Sequence, residues 1–184
     1  MNAQLQEIRS DFEAASARLE RLNGALSPAV WLARPPGEGW SPAECVAHLN
    51  RTGEEFLPLM AEALRGAPAL PAGSDPTLRR GFLGWLLWRI MPPPVRFSRS
   101  NTTSAFMPPA DLDPPRLISD FARLQAQQLE LLERTRGLAI DRVQITSPFN
   151  ARAHYTLFAC LGILARHQHR HLWQAEQAAL RARA

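Results

Sequence analysis

The sequence predicts an all-α protein, a four-helix bundle, and three observations carry that expectation. Its 16 prolines cluster and leave five proline-free windows, residues 1–27, 43–57, 77–91, 116–147 and 149–184. Proline inside a helix costs about 3 kcal/mol, so long stretches without it favour helix. Apolar residues recur there at steps of three and four, which puts them on one face of a helix. No window sustains a period-two alternation, so strand content is expected to be close to nil. A length of 184 residues fits one domain, 1–184.

The first window aligns Leu5, Ile8, Phe12, Ala15, Leu19 and Leu22 on one stripe that Gly24 should end. The second opens on Ser41-Pro42-Ala43-Glu44: a capping serine, a proline at the first helical position and a glutamate three residues after the cap. It runs through Cys45, His48, Leu49, Thr52 and Phe56, and Pro58 should kink or end it unless it resumes to Leu64. Residues 67–112 read as a proline-rich insertion between the second and third bundle helices, with a short helix around Leu78 to Ile90. The next long helix follows a cap at Asp113-Pro114-Pro115 and runs through Leu117, Phe121, Leu124, Leu131 and Leu132 to Gly137. The last, capped by Ser147 or Asn150, lines up Leu157, Cys160, Leu164, His167, His171, Ala175 and Ala178.

Composition removes several function classes. All 21 basic residues are arginine. Without lysine there is no Schiff-base chemistry and no phosphate loop ending in Gly-Lys-Ser/Thr. The net charge of +4 is modest, and the loose run Arg79, Arg80, Arg89, Arg96 and Arg99 has no nucleic-acid motif beside it, so no nucleic-acid partner is expected. Two cysteines, Cys45 and Cys160, are too few for a disulfide framework and read as core packing. No signal peptide is evident, and the greasiest stretch, Phe82 to Met91, is too short to span a bilayer; a cytoplasmic protein without a membrane partner is expected.

Chemistry concentrates in three histidines. His167 and His171 are four apart, one turn on the same helical face, and that stripe points into the bundle. His48 lies on the inward stripe of the second helix. Three imidazoles at roughly 2.0–2.1 Å from one ion leave a position open for water or substrate. His169 falls on the opposite side of its helix and reads as solvated or surface-paired, and His154, at the start of that helix, falls off the stripe. The histidine pair lacks the glutamate of His-Glu-x-x-His metalloproteases, having Gln168 there.

The stretch Gly39-Trp40-Ser41-Pro42-Ala43-Glu44-Cys45-Val46-Ala47-His48-Leu49 resembles the second-helix signature of the DinB-like superfamily. His167-Gln168-His169-Arg170-His171-Leu172-Trp173-Gln174 resembles its last-helix signature. The resemblance implies a four-helix bundle, frequent homodimers and a divalent-metal site whose ligands fall on His48, His167 and His171. Characterised relatives include S-transferases and isomerases that use low-molecular-weight thiols such as bacillithiol or mycothiol. The family name refers to DNA-damage induction and implies no DNA binding.

The leading functional expectation is a metal-dependent thiol S-transferase with a small-molecule substrate, its ion Zn, Ni or Fe and its cofactor a low-molecular-weight thiol. Arg51 or the arginines of the insertion are candidates for holding that thiol's carboxylates. A hydrolase using metal-bound water is the alternative enzyme, although Glu44 is committed to a cap and, of Glu54 and Glu55, only Glu55 shares the face of His48. A non-catalytic metal-binding or interaction module is the third reading. The insertion's Phe82, Trp85, Trp88, Ile90, Met91 and Phe97 bring more apolar surface than a solvated linker keeps exposed. They should form a wall or lid over the metal pocket, bury against a second subunit, or pack on the outside of the bundle.

Overall fold

A computed structural model describes residues 2–37, 39–94, 106–109 and 111–182. The expected Arg96, Phe97 and Arg99 lie outside the described residues. Helices α1 (Ala3–Ala25), α3 (Pro42–Arg65), α5 (Pro114–Arg134) and α6 (Leu157–Ala182) are the four long ones. α1 and α3 each pack against both α5 and α6, so the four close into a bundle. A five-residue helix, α2 (Pro28–Leu32), is capped by Ser27 and buries Trp31 against one end. It repeats on a small scale the serine-proline start of α3, a signal the periodicity of so short a helix could not reinforce.

The expected starts of α3 and α5 hold, the second with one qualification. At α3 the Ser41 hydroxyl accepts from the Glu44 N–H and the Glu44 carboxylate accepts from the Ser41 N–H, the reciprocal box expected there. At α5 Asp113 is the capping residue, but its side chain makes no capping hydrogen bond. Pro58 does not end α3, which runs to Arg65. It sits on the solvent side of the helix, as does Glu54, whose carbonyl loses the amide it would otherwise accept from.

One expectation fails. Residues placed at the start of the last helix form a β-hairpin instead, β1 (Gln144–Ser147) and β2 (Asn150–Thr156), joined by a two-residue turn at Pro148 and Phe149. The strands pair Gln144 with Thr156 and Ile145 with Tyr155, with an irregularity after Thr146. Four residues of β1 are too few to show an alternation, although Ile145, Thr146, Tyr155 and Thr156 have the branched and aromatic character strands favour. Neither Ser147 nor Asn150 caps α6; the Thr156 hydroxyl accepts from the Ala159 N–H at 3.1 Å. His154 is a strand residue, its Nδ1 3.0 Å from the Thr146 hydroxyl.

The insertion supplies α4 (Gly81–Ile90), which packs on α6 and β2. Trp88 lies over Gly162, between the Arg80 and Arg166 guanidiniums, 4.2 and 3.4 Å from its ring centroid. Arg80 is therefore stacked, not part of an open basic patch. Gly84 is the contact that lets α4 approach: a Cβ there would stand 2.5 Å from the Ala159 Cβ. Gly84→Val is expected to lower stability by about 2 kcal/mol, in the range of overpacked sites, as read by urea denaturation. An unchanged midpoint would mean that α4 is not docked this way.

The core divides into two apolar clusters. One holds Phe12, Phe56, Met60, Leu132, Phe158 and Leu161; the other holds Ala15, Leu19, Trp31, Val46, Phe121 and Leu172. Between them along α3, α5 and α6 lies a layer of buried polar side chains, including His48, Thr52, Gln125, Gln128, His167, Gln168 and His171. Among the described residues no helix is long and apolar enough to cross a membrane.

Candidate metal centre

The polar layer places the three inward histidines together. His48 from α3 and His167 and His171 from α6 each offer one ring nitrogen, and these atoms all lie within 4.8 Å of one another. Ring centroids are 4.4 Å apart for His48–His171 and His167–His171 and 5.2 Å for His48–His167. The two on α6 meet through their i, i+4 spacing, and His48 arrives because α3 packs along α6.

The hydrogen-bond pattern sets the chemistry. His48 Nδ1 donates to the Phe106 carbonyl at 3.0 Å, because a carbonyl can only accept, so the neutral ring carries its free lone pair on Nε2. That atom lies 3.4 Å from His167 Nε2. This is long for a hydrogen bond, and it matches the separation of about 3.3–3.4 Å that two nitrogens keep when each is 2.0–2.1 Å from one tetrahedral ion. The Nδ1 atoms of His167 and His171 are buried with no hydrogen-bond partner among the described residues. For His167 this is not the nitrogen that faces His48, so an ion held at its Nε2 would leave that ring without the orienting acceptor that His48 has. The donor set, three imidazoles and no cysteine or carboxylate among the described residues, fits a divalent transition ion.

Burial pushes all three histidine pKa values down, those of His167 and His171 furthest, with the neighbouring imidazoles and Arg170 adding to the effect at both. The neutral ring, which is the form that binds metal, is thereby favoured. Around the cluster stand aromatic walls that sequence reasoning did not assign. Trp40 lies 5.0 Å from the His48 ring and stacks at 6.0 Å on His171; Phe106 and Phe149 stack on each other at 3.9 Å beside His48. Phe149 is delivered by the hairpin turn, so missing the strands meant missing that part of the wall.

The cluster opens into a cleft of about 2000 Å³ whose sides include Trp40, Phe149 and, from the insertion, Leu83, Leu87 and Met91. Of the arrangements open to the insertion, its α4 both packs on the outside of α6 and lines one side of the cleft, while leaving Phe82, Trp85 and Ile90 exposed. Arg34, Arg89, Arg170 and Arg181 line the cleft, whereas Arg51 is an exposed residue paired with Glu55 at 2.7 Å.

Other candidates take structural roles. Burial disfavours the charge of Glu44, but the Arg34 guanidinium and the Ser41 N–H outweigh it and hold the carboxyl below its usual range. Cys45 and Cys160 are buried free thiols, and burial pushes both pKa values up, away from the thiolate. His169 is half-buried and donates from Nε2 to the Asp11 carbonyl at 2.9 Å, facing α1 rather than the cluster. Gln168, which stands where a metalloprotease has its glutamate, exchanges hydrogen bonds of 3.0 and 2.9 Å with Gln125 and donates to Gln128 at 3.1 Å. It ties α6 to α5 and does not face the cleft.

A helical bundle with three converging imidazoles at the floor of an open cleft defines a class of candidate metal-binding helical proteins. Residues 11–175 match the sequence model of the DinB superfamily, and the chain belongs to that superfamily. No curated protein and no solved structure matches it.

Proposed function

We propose that His48, His167 and His171 hold one divalent ion and that the protein is a metal-dependent thiol S-transferase acting on a small electrophile. The observation that carries this reading is the pairing of a three-imidazole cluster with a cleft that, among the described residues, no aspartate or glutamate lines. When bound, such an ion supplies Lewis acidity that deprotonates a coordinating thiol at neutral pH. The chain's own part is to fix and dry the site. His48 is oriented by the Phe106 carbonyl, and Trp40 and Phe149 shield the imidazoles from water. The thiol reacts as its thiolate: sulfur forms a bond to the electrophilic carbon, the leaving group departs with the bonding pair, and the thiol proton has passed to solvent.

That sequence needs no side-chain base. Hydrolysis would be helped by one, but Glu44 is held by Ser41 and Arg34, and Glu55 by Arg51. The test is consumption of a low-molecular-weight thiol by an electrophile, followed with and without chelator. Turnover is expected to fall to the uncatalysed rate on chelation and to return on adding a divalent ion. Turnover that survives chelation, or substrate loss that needs no thiol, contradicts the proposal.

A further inference from the structure

One face of α6 repeats at steps of four and three: Ile163, His167, Arg170, Gln174, Gln177 and Arg181. All six line the cleft. In a bundle such a stripe is normally the apolar seam against a neighbouring helix. Here it turns from apolar to polar after Ile163, and its last four residues extend about 17 Å along the helix at 1.5 Å per residue.

Charge balance along the stripe is one-sided. Arg166 on another face of α6 has Glu7 at 4.0 Å, and Glu176 holds Arg18 of α1 at 2.6 Å. Arg170 is half-buried beside His167 and His171, yet has no hydrogen bond or ion pair among the described residues. Arg89 faces the cleft from α4, and among the described residues Arg34 is the one lining arginine with a carboxylate partner, that of Glu44. A partly desolvated guanidinium without a counter-charge is stabilised by any anion that reaches it, and its planar fork favours a carboxylate.

We infer that this polar stripe of α6 binds the carboxylate-bearing part of the small-molecule ligand. Arg170 takes the carboxylate nearest the imidazole cluster, and Gln174, Gln177 and Arg181 follow the rest of the ligand outward. The inference deepens the thiol-transfer reading and rests on it for the ligand's sulfur, but the anion contact itself stands on the stripe alone.

Two titrations separate the two claims. In the first, protein loaded with Co(II) is titrated with mercaptosuccinate and with 2-mercaptoethanol, following the thiolate-to-cobalt absorption. In the second, metal-free protein is titrated with succinate by calorimetry. The wild type is expected to prefer mercaptosuccinate by about tenfold or more, the scale of one charge-assisted contact. In Arg170→Gln the preference should fall to about one and the succinate heat should vanish, while Arg170→Lys keeps part of both. A preference or a succinate affinity unchanged in Arg170→Gln overturns the inference, as does wild-type protein that binds no succinate. If neither thiol produces the absorption while succinate binds wild type and not Arg170→Gln, the thiolate reading fails and the anion site stands.

Discussion

Alanine at His48, His167 or His171 is expected to abolish stoichiometric metal binding, whereas alanine at His169 or His154 leaves it intact. The first three bring their ring nitrogens within 4.8 Å of one another, while His169 bonds the Asp11 carbonyl and His154 the Thr146 hydroxyl. Removing a partner that merely orients a ligand costs about 10–100-fold in affinity, so removing a ligand should cost more than about 100-fold. Calorimetric titration with Zn(II) against a competing chelator reads the difference. Because the Nδ1 atoms of His167 and His171 are already unpartnered, neither alanine at those positions adds an orphan there, and both variants should fold. Equal losses in His169→Ala and His167→Ala would contradict the arrangement of the helix faces.

Gln168→Glu would complete a His-Glu-x-x-His pattern on α6, and it is expected to destabilise the protein without creating a hydrolase. The Gln168 amide donates to both Gln125 and Gln128 and accepts from Gln125, and the Gln125 amide also donates to the Phe12 carbonyl at 2.5 Å. A carboxylate there keeps the acceptor and loses both donors, leaving oxygen facing oxygen in a buried layer. An uncompensated buried charge costs about 3–5 kcal/mol. The loss should set in above the unfolded glutamate pKa of about 4.3 and grow until pH passes the raised native value, because only the charged form is disfavoured. Urea denaturation at pH 4 and pH 8 tests this: the deficit relative to wild type should be larger at pH 8. Equal stability at both values, or a gain of metal-dependent hydrolysis, would place residue 168 in the cleft.

The bundle was legible in the sequence where proline and capping residues agreed with periodicity. Ser41-Pro42 and Asp113-Pro114 mark α3 and α5 within a residue, and the stripe of α1 is the buried one, its helix running a residue past Gly24. The inward orientation of His48, His167 and His171 followed from the same stripes. What was not legible depends on contacts distant in sequence. The hairpin of residues 144–156 is too short to have a period, and it carries Phe149 into the site. The carbonyl of Phe106 orients His48 through a backbone atom, which every residue type possesses. Gln168 was read only for what it was not, whereas its part is to bridge two helices between apolar clusters. Arg170 had no role assigned in the sequence, because only the folded cleft shows which face of α6 is open.

The most direct test of the three-imidazole centre is the metal content of the full chain, purified without a histidine tag and measured by inductively coupled plasma mass spectrometry against protein concentration. The geometry of His48, His167 and His171 predicts one tightly held divalent transition ion per chain, removed by chelation and restored on reconstitution. Protein that carries no such ion and takes up none from Zn(II), Ni(II) or Fe(II) would contradict the assignment.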